Sequence, residues 1–212
     1  MSLPKVLEDC IQKALTAVRQ HPNHVLNLGY RTAIWAMLGS FDRHSHPSTD
    51  AGHRRRTLLA IESARRVLPI WEQRWPEDCK PHDAIQAAIQ LLHTQDNRAV
   101  FWDTLDRCAV GVENLMTTDF IKSMAGESAV LALNTALDDE YFKPGEIDYE
   151  WTDGQLGGGD NDGASVASIA YAGGTALDPK SDPEKRLEFW EWWLKEAVPA
   201  SYQEGTLEKP NN

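Results

Sequence analysis

Apolar residues return every three or four positions through the first 140 residues, and no run there alternates apolar with polar. A helix repeats every 3.6 residues and a strand every two, so the pattern calls for helices packed on helices and argues against a sheet. Val6, Leu7, Cys10, Ile11, Ala14, Leu15 and Val18 form one such stripe, stopped by His21-Pro22-Asn23. Val25 to Leu38 reads as a second helix, followed by a polar loop from Asp42 to Gly52. A long stripe then runs through Ala60, Ala64, Val67, Leu68, Trp71 and Trp75, with Pro69 inside it. Proline in a helix interior lacks a donor and clashes with the carbonyl four residues back, at about 3 kcal/mol. Residues 54–74 are therefore expected to kink at Pro69, or to divide there into two helices. Shorter helices follow around Ile85–Leu92, Phe101–Val112 and Thr118–Leu137, with Thr118 a candidate N-cap.

The pattern breaks at Tyr141. From there to Pro183 the chain is rich in glycine and holds only two short apolar clusters. Ile147 to Thr152 alternates well enough for a short strand, and Ala164 to Ala172 suits a short helix closed by Gly173. Ser181-Asp182-Pro183-Glu184 matches a capping box with proline early in the helix, and the helix behind it is expected to run to about Glu196. At 100° per residue Leu187, Trp190, Trp193, Leu194, Ala197 and Val198 share one stripe, with Phe189 at its edge. Trp192 falls instead among Glu188, Glu191 and Lys195. The expected fold is all-α: a helical bundle over residues 1–140, then 141–212 as a long acidic, glycine-rich segment and a C-terminal amphipathic helix packing on the same domain.

Charge follows the same division. Residues 1–137 hold 15 Lys and Arg against 15 Asp and Glu, whereas 138–212 hold 6 against 17, which accounts for the whole net charge of −11. Nine carboxylates crowd between Asp138 and Asp162, with Lys143 the one cation among them. An acidic block repels nucleic acid and anionic membrane surfaces and favours a cationic partner. Tyr141, Phe142, Tyr149 and Trp151 interleave with these carboxylates. Disordered acidic tails are poor in aromatic residues, whereas interfaces favour them. Asp148, Tyr149, Glu150, Trp151, Asp153, Asp160 and Asp162 are therefore the candidate partner contacts, with Trp192 added as the ring outside the buried stripe.

Catalytic signals are weak. His44, His46 and His53 could supply three ligands to a zinc ion, which would make the chain a metal-dependent hydrolase, but their spacing matches no diagnostic pattern and they sit in a polar loop. Arg54-Arg55-Arg56 could bind phosphate or dock onto the chain's own acidic segment. Gly157-Gly158-Gly159 lacks the lysine of a phosphate loop, and the Asp160-Asn161-Asp162 run reaches Gly163 too early for an EF-hand. A helical protein binding a small molecule through its aromatic stripes is a further reading; a dry core is the commoner fate of such stripes. No cofactor is expected. Three cysteines without a CxxC spacing, and no apolar run approaching eighteen residues, read as a soluble cytoplasmic protein with reduced thiols.

One stretch carries a resemblance. RRRTLLAIESARRVLPIWEQRWPEDCKPHDAIQAAIQLL, Arg54 to Leu92, with VLPIWE at its centre and a proline-bounded turn before the next helix, is similar to immunity proteins of bacterial polymorphic toxin systems. The nearest in kind is the fifth catalogued immunity family, a mostly α-helical group, and the likeness covers about residues 1–140. The resemblance implies a non-enzymatic inhibitor that binds a toxin inside the cell that makes it. It carries over no catalytic residue. A basic toxin would be drawn to the acidic segment by electrostatic steering.

Overall fold

The computed structural model describes residues 2–42, 44–95, 98–139, 147–155 and 162–206. They are all-α, with no strand among them. Along the chain run α1 (Lys5–Gln20), α2 (Leu28–Met37), α3 (Ala51–Arg74), α4 (Lys80–Leu91), α5 (Arg98–Met116), α6 (Phe120–Leu137), α7 (Gly163–Ala172), α8 (Pro183–Trp192) and α9 (Val198–Glu204).

Helix α6 is the centre. It packs against α3, α4, α5 and α7. Its small residues, Ala125, Gly126, Ser128, Ala129, Ala132 and Ala136, are buried around the whole helix, as expected of one that never meets water on a broad face. At Gly126 a Cβ would lie 2.4 Å from the ring of Trp71, so glycine is what lets α3 and α6 approach. A single cluster of buried apolar residues extends from Leu7 on α1 to Val198 on α9.

Pro69 and Pro199 both lie inside helices. Helix α3 runs unbroken through Pro69, and the two-helix alternative does not hold. Pro69 is exposed, so the carbonyl it frees, that of Arg65, lies on the solvent side, where water can satisfy it. Near the C-terminus the consequence of a proline is visible. Residues Trp193–Ala197 widen into a π turn, in which the Val198 amide reaches back to the Trp193 carbonyl, just ahead of Pro199. Opening the turn moves the carbonyl that the Pro199 ring would strike. The helix consequently passes the expected end at Glu196 and continues to Glu204.

Four helix starts are capped by aspartates. Asp50 accepts from the His53 amide, Asp119 from Lys122, Asp162 from Ser165, and Asp182 from Glu184 and Lys185. Asp119 thus replaces Thr118, and Asp182 replaces Ser181, as the caps. Gly173 closes α7 with φ 72° as expected. Ile147–Thr152 is not a strand. It is a turn that leads into a short 3₁₀ segment, Asp153–Gln155.

Candidate functional site

The described parts of the acidic segment, residues 138–139, 147–155 and 162, lie against the helical body, and buried arginines hold them there. Arg31 on α2 is 0% exposed. Its Nε donates to Asp162 Oδ2 at 2.8 Å and its Nη1 to the Leu26 carbonyl, while Nη2 reaches both Asp162, at 2.8 Å, and Asp153. The guanidinium also lies 5.7 Å from the Trp190 ring centroid. Burial alone would lower the Arg31 pKa; the two carboxylates outweigh it and raise it. Burial drives Asp162 the other way, against the pull of Arg31 and of the Ser165 amide bonded to Oδ1. One cation thus holds Asp153, before residues 156–161, and Asp162, after them.

A second pair anchors the start of the segment. Arg56 donates to Asp139 through Nε at 2.7 Å and through Nη2, and its remaining donors go to the carbonyls of Trp35, Gly39 and Ser40. Docking of the arginine run onto the chain's own acidic segment is therefore what Arg56 does. Its neighbours cap backbone instead: Arg54 donates to the Leu92 carbonyl, and Arg55 to those of Leu38 and Tyr202.

Between these anchors the turn at 147–152 sits on the start of α2. The Gly29 amide donates to the Trp151 carbonyl at 3.1 Å, and a Cβ on Gly29 would fall 1.9 Å from the Asp148 carbonyl oxygen. Only glycine permits that approach. Tyr149 packs on Tyr30 with ring centroids 4.9 Å apart and meets the Cys10 thiol; Trp151 and Ile147 pack on the core.

All but one of the expected contact residues fall among the described residues. Asp148 and Glu150 are exposed, side by side on the turn. Tyr149 and Trp151 are half-buried and hold that turn down, so their rings are spent mostly on the chain itself. Asp153 and Asp162 face inward to Arg31, and Asp162, 5% exposed, is a structural residue. Trp192 is half-buried, 5.5 Å from Phe189 and 5.0 Å beneath the Arg66 guanidinium, which explains a ring outside the apolar stripe. Asp160, Tyr141 and Phe142 lie outside the described residues. Asp138, which the sequence reading did not single out, is exposed.

The histidines do not converge. His53 is fully buried with both ring nitrogens engaged, Nδ1 with Ser45 Oγ at 2.9 Å and Nε2 with the Thr135 carbonyl at 2.8 Å. His46 Nδ1 meets Ser48, and His44 is exposed. Among the described residues no three His, Cys, Asp or Glu side chains are grouped to hold a metal ion. A cavity of about 30 Å³, lined in part by Arg56, Ser63, Asn134, Asp139 and Trp193, has room for about two waters. It suits solvation of the Arg56–Asp139 pair rather than a substrate. No helix among the described residues is long and apolar enough to cross a membrane.

The class this defines is an all-α protein whose acidic segment is pinned to a helical body with carboxylates left on the outside. The chain belongs to the Imm5 family of immunity proteins, whose family model matches residues 11–200. No curated protein matches it. The family match extends through α7 and α8, beyond the residues 1–140 that the sequence likeness covered.

Proposed function

We propose that the chain binds and neutralises a cognate protein toxin in the cytoplasm of the bacterium that produces it, covering a basic active-site surface by contact alone, without turnover or a cofactor. Membership of the immunity family carries this reading. The outward carboxylates Asp138, Asp148 and Glu150 and the net charge of −11 support a cationic partner. Tyr149 and Trp151 contribute by holding Asp148 and Glu150 in place. Asp153 and Asp162 act indirectly, by fixing the ends of the segment.

The test uses the C-terminal domain of the secreted protein encoded by the adjoining reading frame. Co-expression should restore growth to cells making that domain, and the purified pair should form a stable complex. Growth arrest undiminished by co-expression, with no complex in solution, would overturn the reading. The hydrolase alternative gains nothing from this geometry, since His53 spends both nitrogens within the fold.

A further inference from the structure

The segment with the most carboxylates is not where unneutralised charge and exposed apolar surface coincide. That combination lies in the half of the chain whose charges balance. Helix α5 packs on α4 and α6, and buries only Phe101, Leu105, Cys108 and Val112. Beside that stripe, at i, i+4 and i+11, stand Trp102, Asp106 and Glu113. Trp102 and Glu113 lie beside α6, which runs antiparallel, and Asp106 is exposed between them. Trp102 shares an open crevice of about 390 Å³ with His44, Arg98, Leu137 and Asp138 at one end. Glu113 lies close enough to Glu127 for the two carboxylates to interact further along. Phe120, 48% exposed, stands at the turn between the helices.

The seam from Trp102 to Glu113 is roughly 16 Å long at 1.5 Å per residue. Trp102 is 39% exposed, and Val110 on the adjoining outer face is 57% exposed. Burial, and after it the neighbouring Glu113, holds the Glu127 carboxyl above its usual range. Both cations of α5 are engaged within the fold. Arg107 lies 3.7 Å from Asp83 on α4, and Arg98, within the crevice, donates to the Leu137 carbonyl.

We infer that the α5–α6 seam is a docking surface for a cationic protein, in which Trp102 enters an apolar pocket of the partner while Asp106, Glu113, Glu127 and Asp138 meet its basic residues. The inference rests on the immunity reading and names where the toxin sits. Charge selects the occupant. A second copy of this chain would set these carboxylates against themselves, and juxtaposed like charge is unfavourable. A cationic surface relieves the crowding. A ring flanked by charge is also the usual composition of a binding hot spot.

The experiment measures binding of the same toxin domain to the full chain, to Trp102→Ala, to Asp106→Lys/Glu113→Lys, and to Asp148→Lys/Glu150→Lys. Trp102→Ala should weaken the complex about 30-fold or more, the scale of a hot-spot residue. The seam charge reversal should slow association about tenfold and flatten its salt dependence, more than reversal at 148 and 150 does. Amide exchange needs no substitution, and in the complex it should slow along residues 98–116. If the unaltered chain binds, while both seam variants bind within twofold of it and exchange on α5 is unchanged, the seam inference fails and the immunity reading stands. If the unaltered chain does not bind, both fall. Self-association of the chain abolished by Trp102→Ala would show the occupant to be a second copy, against the inference.

Discussion

The two acidic regions of this protein are built on opposite principles. Between residues 138 and 162 carboxylates are dense, yet Asp139, Asp153 and Asp162 are answered from within by Arg56 and Arg31. Along α5 and α6 they are sparse, yet Asp106, Glu113 and Glu127 have no arginine brought to them among the described residues. In the first region charge is an assembly device, fixing residues 139, 153 and 162 to the helical body. In the second, Asp106 and Glu113 are left facing water, with Glu127 half-buried beside Glu113. The lesson is electrostatic: a run of like charge in sequence says little about the field outside until its buried counter-ions are known.

The largest effect should come from removing a counter-ion. Arg31→Met leaves Asp162 buried and Asp153 unpaired, and the loss of one member of a buried ion pair costs about 3–5 kcal/mol. Urea unfolding should show that loss. A change below about 1 kcal/mol would mean that the Arg31 pairs hold nothing, and the contrast between the regions would dissolve.

Next in size is Gly29→Ala. Its Cβ would collide with the Asp148 carbonyl, so the turn must lift, at a cost of about 1–3 kcal/mol. Amide exchange should quicken at residues 148–152 while α6 stays protected; uniform quickening would show that the segment and the body unfold as one.

Acid should act through His53. Burial holds its pKa below the usual value, the Arg56 and Asp50 charges and the Asp139 carboxylate around it partly cancelling. The unfolded chain then takes up more protons, so stability is full above about pH 6.5 and falls as pH drops below it. His46 and His21 are lowered in the same direction by burial, so His53→Gln should shallow the acid slope rather than abolish it. An unchanged slope in that variant would remove His53 from the account.

Smallest in stability is Asp148→Lys/Glu150→Lys, which should shift unfolding by no more than about 1 kcal/mol, because both side chains face water and the one bond lost is that from the Glu150 amide to Asp148 Oδ1. A larger loss would mean these two also belong to the assembly side of the contrast.

Periodicity exposed most of the fold. The stripes of α1, α3, α5 and α8 and the C-cap at Gly173 follow from local rules. Three features did not. Ile147–Thr152 alternates like a strand but has no strand to pair with, and Gly29 offers it a close seat on α2 instead. Pro69 stays within α3 because it falls on the exposed side, which depends on tertiary packing. The pairing of Arg31 with Asp162 spans 131 residues, beyond any window in which spacing carries a signal. The arginine run did hint at docking, and its third member fulfils it. The seam carries no sequence signal, because its carboxylates are scattered along two helices. Its meaning depends on α6 bringing Glu127 and Asp138 beside it.

The most direct measurement is the rate at which this chain captures its toxin as salt rises from about 50 to 500 mM, where the screening length shortens from roughly 14 to 4 Å. Capture led by outward carboxylates should slow by ten- to a hundredfold while release barely changes. A capture rate indifferent to salt would contradict the claim that charge left outside the arginine clamps draws the partner in.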